Sequence, residues 1–138
     1  MAYVELHGTG SNIGDPTEVE GVSRVFRKDE RHGATLIGSV KPNLGHGEAS
    51  SGLLCIIKAS LFLERRTILP TIGIKQMNSK FKARERGIHV TSMTPFLSVS
   101  RTRRISMHSF GFGGANAHVI LEEANHQGAR YPADRSLQ

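Results

Sequence analysis

The stretch GLLCIIKASLFL, residues 52–63, constrains this chain more than any other. Its spacing predicts a long helix from about His46 to Arg65, and between Leu53 and Leu63 apolar residues occupy nearly every face. A helix that is apolar all round needs cover on all sides. That is a heavy demand for 138 residues, which make one domain at most. Lys58 interrupts the run, and nothing else approaches the ~20 apolar residues that cross a bilayer. The helix therefore reads as the centre of a globular core, with no membrane partner.

The flanking segments suggest what surrounds it. AYVEL (2–6) alternates as a strand; Asp15 then serves as N-cap, Pro16 takes the first helical position and Glu18 completes a capping box. Val19, Val22, Val25 and Phe26 give that helix one apolar face, and it runs out in RKDERHG. TLIGSV (35–40) is the next strand. Residues 66–103 are irregular, apart from a short strand in GIHVTS. RRISMHSF (103–110) and AHVILEE (117–123) read as antiparallel strands around GFGGAN. Residues 125–138 are polar and patternless, a tail or linker. Strand, helix, strand, helix and paired strands indicate an α/β fold with a mixed sheet.

Composition narrows the function classes. Hydrophobic content of 38% and charged content of 22% are ordinary for a globular protein. A single cysteine rules out an internal disulfide, and no secretory-signal layout opens the chain, so a reducing, cytoplasmic compartment is expected. The net charge is +6, gathered in KFKARER (80–86) and RTRR (101–104). A lone aromatic residue, Phe81, falls within these clusters and makes no stacking platform, which argues against nucleic acid. They read as solvated faces, or as docking points for an acidic protein or a phosphate-bearing ligand.

Three glycine-rich places could carry chemistry: His7 in HGTGS, Lys41 to His46 in KPNLGHGE, and Phe110 to Asn116 in FGFGGAN. Each follows or joins a predicted strand, so all three can meet along one sheet edge, where α/β proteins bind ligands. His46 is expected in the first turn of the long helix, where the positive dipole end keeps its ring neutral and able to donate a hydrogen bond. Glu48 is placed to pair with Lys41 or to cap that turn. The GFGG glycines let backbone amides face a ligand, as an oxyanion site requires, or are plain turn residues. Other constellations fail. GFGGAN is no dinucleotide fingerprint, no phosphate loop is present, and no histidine spacing suits a metal. Cys55 lies in the most apolar helix, where a thiol is a poor nucleophile.

Taken together, VELHGTGSNIGDPTEVEGV, GSVKPNLGHGEASSGLLCIIKA and RRISMHSFGFGGANAHVILEEA closely resemble the last part of the β-ketoacyl synthase domain of type I polyketide synthases. Relatives also occur in fatty acid synthases. The resemblance covers residues 2 to about 124, and GHGEASSG with GIKQMNSKF is most similar to fungal iterative enzymes.

The resemblance implies a thiolase-like fold, of which residues 1–124 form the C-terminal part, usually in a dimer. It implies decarboxylative condensation of an acyl group on a cysteine with a malonyl unit. That unit is carried on the phosphopantetheine of an acyl carrier protein, the expected partner, and no cofactor or metal is bound directly. His7 and His46 match the two catalytic histidines, and Lys41 matches the lysine that organises them. Thr9 and Ser11 match the hydroxyls that hold the pantetheine arm, with serine in place of the usual threonine. The backbone of Phe112 matches the second oxyanion donor, in a loop that Gly111 and Gly113 let act as a gate. The family's nucleophilic cysteine has no match here, and Cys55 does not supply one. The chain is thus expected to be an excised piece, a gene fragment or a degenerate remnant, inactive until the N-terminal half is supplied. The other reading is a non-catalytic remnant that at most binds a partner such as the carrier protein.

Overall fold

A computed structural model describes residues 1–26, 33–90, 94–95 and 102–124. The RKDERHG helix end and the polar tail lie almost wholly or wholly outside the described residues. The chain runs β1 (Tyr3–Glu5), α1 (Gly14–Phe26), β2 (Thr35–Gly38), α2 (Lys41–Leu44), α3 (Ser51–Arg65), β3 (Thr67–Ile68), β4 (Ile88–Val90), β5 (Thr94–Pro95), β6 (Arg104–Phe110) and β7 (Asn116–Glu122). A mixed sheet has the order β4-β2-β1-β6-β7, parallel except for β7, which returns antiparallel on β6. β3 and β5 form a separate antiparallel pair.

Strand β1 lies between β2 and β6, with Tyr3 opposite both Leu36 and Ile105. Successive side chains leave a strand on opposite faces. Tyr3 thus joins Cys55, Ala59, Phe62, Ile105 and Met107 on the α3 side, while Val4 and Leu6 join Val19, Val22, Ile37 and Ile88 on the α1 side. Glu5, on the α3 face, is completely buried.

Helix α3 is shorter than the sequence suggests. Lys41–Leu44 form a helical turn of their own, Glu48–Ser50 a 3-10 turn, and the α-helix begins only at Ser51. Gly45 at φ 82° and Glu48 at φ 46° break the path between them, because a continuous right-handed helix cannot contain those angles. Cys55, Ala59 and Phe62, spaced four and three apart, form the buried stripe. Leu53, Ile57 and Leu61 remain 63%, 56% and 47% exposed. One face of the apolar helix is covered by this chain, and the opposite one is not.

The capping box at α1 does not form. The helix starts at Gly14, whose amide is taken by Ser11 Oγ at 3.1 Å. Asp15 turns back to accept the amides of Gly10 and Ser11 at 3.0 and 3.2 Å. Glu18 reaches the β1 end instead, as described below.

Candidate active site

The parallel strands β1, β2 and β6 all finish at the same end of the sheet, and each is followed by one of the glycine-rich segments. His7 leaves β1, the segment from Lys41 to His46 follows β2, and Phe110 ends β6. Gly8 lets the first two approach. It has φ +46°, and a Cβ there would lie 2.9 Å from Ser39 Cβ, so a side chain would push the β1 loop off the β2 loop.

The two imidazoles stand edge to face, their centroids 5.7 Å apart at 85°. The Phe110 amide donates to His7 Nδ1 at 3.4 Å, and the Glu48 amide donates to His46 Nδ1 at 2.9 Å. In both rings Nδ1 is an acceptor, so the neutral form carries its proton on Nε2. Burial, and next the Lys41 charge, pull His7 below the usual histidine range, against a smaller opposing effect of Glu18. His46 does not lie in the first turn of α3, so the helix-dipole argument fails. The backbone amide of Glu48, two residues on, selects its tautomer. The Glu48 carboxylate neither pairs with Lys41 nor caps the turn; it has no ion pair among the described residues.

Lys41 is 8% exposed, and its Nζ meets no hydrogen-bond partner among the described residues. It lines a cavity of about 640 Å³ with His46, Thr9, Ser11, Ile74, Met77 and others. Thr9 presents an exposed hydroxyl with no partner among the described residues, whereas Ser11 already accepts the Gly14 amide. His7, His46 and Phe110 are thus neighbours at one end of the sheet, and the glycine turn after Phe110 stands apart from the cavity. Phe110 touches His7, while the Phe112 side chain is fully exposed and neither Phe112 nor its neighbouring glycines line the cavity. Gly113 at φ 79° and Gly114 at φ 90° form a turn that side chains would strain. Cys55 is buried beside Glu5, and burial pushes its thiol up to about 11.

Two acids hold the site in ways the sequence did not suggest, Glu18 having been expected only as a helix cap. Glu18 Oε1 accepts the His7 amide at 2.8 Å and Oε2 the Gly8 amide at 3.1 Å. Glu5 accepts the Val40 amide, immediately before Lys41, and pairs with Lys58 at 2.8 Å. Each anchors the backbone beside a site residue. The available signal was Glu5 itself, a charged residue in a strand otherwise fit for burial.

Residues 1–75 match the family model for the β-ketoacyl synthase, C-terminal domain. This chain belongs to that family. The ketoacyl synthase domain is 49% identical over 125 residues to the highly reducing polyketide synthase anuA of Penicillium roqueforti, covering 89% of this chain and 6% of the relative. It is 51% identical over 128 residues to the highly reducing polyketide synthase srdA of Neurospora crassa, covering 87% and 5%. The chain therefore spans about one twentieth of the curated relatives it matches. Among solved structures, the ketosynthase from module 6 of the bacillaene synthase of Bacillus subtilis superposes with a TM-score of 0.83 at 36% identity, over 90% of this chain and 23% of that one. The ketoacyl synthase domain thus has the thiolase-like α/β fold. No helix among the described residues is long and apolar enough to cross a membrane.

Proposed function

We propose that this domain supplies the histidine side of a ketosynthase active site in a highly reducing type of polyketide synthase. It would promote condensation of an acyl-cysteine with malonyl thioester when joined to a half that bears the nucleophile. The observation that carries this reading is the pair of adjacent imidazoles, edge to face with Nδ1 of each an acceptor, next to a cavity that His46 and the buried Lys41 line.

In that reaction the C–C bond to the malonyl carboxylate breaks and carbon dioxide leaves. Its electron pair remains as an enolate, whose negative charge falls on the thioester oxygen. N–H donors from His7 and His46 stabilise that oxygen. The enolate carbon then attacks the acyl thioester, and the cysteine thiolate departs. Lys41 supports the reading through its charge, which helps keep His7 neutral. Thr9 is free to bind the pantetheine arm on which an acyl carrier protein presents malonate. Ser11 can do so only while it also holds the Gly14 amide. The Phe112 amide, in the glycine turn Gly111–Gly114, would act as oxyanion donor during acyl transfer, after a movement of that turn. The uncovered face of α3 at Leu53, Ile57 and Leu61 is the natural seat for the N-terminal half, within the dimer usual for the family.

The test supplies that half by fusion and follows acyl loading and carbon dioxide release from malonyl thioester separately. His46→Ala should lower carbon dioxide release by roughly 10²- to 10³-fold, the usual cost of one such donor, while loading persists. Unchanged release in both His7→Ala and His46→Ala would refute the assigned roles.

A further inference from the structure

A cluster beside His7 takes no part in the chemistry just described. His108 on β6 faces His118 on β7, and its Nδ1 lies 2.9 Å from Glu18 Oε1. The two side chains are 14% and 4% exposed. The His108 ring also stacks on Phe110, with centroids 5.7 Å apart at 28°. His108 therefore reaches His7 twice. One path runs through the Glu18 carboxylate, which accepts the His7 and Gly8 amides. The other runs through Phe110, whose amide donates to His7 Nδ1.

We propose that His108 is a positioning residue for His7: its Nδ1–H holds the Glu18 carboxylate in place, and its ring braces the Phe110 segment. Glu18 is a buried acid with three donors, His7 N, Gly8 N and His108 Nδ1. Removing the third frees its carboxylate to rotate, and the amides at the His7 corner lose a fixed acceptor. Among the described residues, Glu18 is the one ion-pair partner of His108. From β7 the neighbour is His118, whose Nε2 is occupied by Ser106 Oγ at 2.7 Å. The consequence for catalysis rests on the reading of His7 as an enolate stabiliser, but the link between His108 and His7 does not.

The test therefore reads the His7 ring without substrate. Long-range 1H–15N spectra of the labelled chain should show His7 as a single Nε2–H tautomer. In His108→Ala that pattern should be lost and the His7 midpoint should move upward, toward that of a solvated ring. In His108→Asn, whose side-chain amide can still donate to Glu18, the pattern should persist. A single tautomer in His108→Ala overturns the proposal. So does its loss in His108→Asn to the same degree as in His108→Ala, with the backbone amide spectrum otherwise unchanged. If His108→Ala does not fold, Glu18→Gln reads the same link, and an unaltered His7 tautomer there is equally fatal to it. Because no turnover is measured, these outcomes are separate from failure of the decarboxylation experiment.

Discussion

Lys41 is buried and Lys58 is partly so, and the two are treated in opposite ways. Lys58, on α3, lies over the rings of Tyr3 and Phe62, 5.5 and 5.2 Å from their centroids, and its ammonium meets Glu5 at 2.8 Å and Tyr3 Oη at 3.2 Å. Lys41, at the cavity, has no hydrogen-bond partner for its ammonium among the described residues. A buried ion pair is satisfied internally, whereas an unpaired buried ammonium opposes folding and persists where its field has a use. The first region is scaffold. In the second, the same kind of charge is held open beside His46 and acts on His7.

The sharpest way to break this contrast is to remove Glu5. Glu5→Ala strands the Lys58 ammonium and the Val40 amide together, and should destabilise the domain by about 3–5 kcal/mol, read by denaturant unfolding. Lys41→Met should do the reverse. Stability should stay within about 1 kcal/mol or rise, while carbon dioxide release in the joined enzyme falls ~10²-fold as the histidine geometry loosens. If Lys41→Met unfolds the domain as Glu5→Ala does, the two lysines are both structural and the contrast is void.

A smaller effect concerns pH. The folded domain holds His7 below its ordinary value near 6.5, so at mildly acidic pH the unfolded chain binds more protons. The stabilisation associated with neutral His7 is present above about pH 6.5 and is lost as pH falls through that region. Melting temperature should therefore drop on acidification more steeply in the wild type than in His7→Gln. Lys41→Met should flatten the slope part of the way, since the lysine charge is one cause of the shift. Next in size, Thr9→Val should weaken pantetheine thioester binding by about 1 kcal/mol, roughly fivefold in a titration. Smallest of all, Cys55→Ser should leave acyl loading unchanged. With its thiol near 11, on the order of one molecule in a thousand carries a thiolate at pH 8. Stable acylation of Cys55, seen by mass spectrometry of an acyl-thioester incubation, would contradict this.

Local patterns were enough where one strand or one turn decides the outcome. The alternation in AYVEL and RRISMHSF marks β1 and β6, and the period-three-and-four valines mark α1. The convergence of the three glycine segments was also legible, because loops at the carboxyl ends of neighbouring parallel strands come together. The failures share one cause. Asp15 and Glu18 have the right spacing for a capping box, but spacing says nothing about competing donors from another loop. Here the amides of Gly10 and Ser11 claim Asp15, and those of His7 and Gly8 claim Glu18. In the same way, apolar residues from 53 to 63 suggested a helix buried all round. Which stripe is covered depends on which sheet face it meets, and that face belongs to Tyr3, Ile105 and Met107.

By itself, then, the sequence determined the order along the chain of the five strands of the main sheet, and the presence of two histidines and a lysine after strand ends. Those follow from backbone sterics and side-chain periodicity, which act over a few residues. Only the tertiary structure decided which nitrogen of each neutral ring carries the proton, which lysine is paired, and that the Phe110 amide donates to His7. A tautomer or an ion pair is set by the nearest donor in space, and His7 finds its donor 103 positions away along the chain.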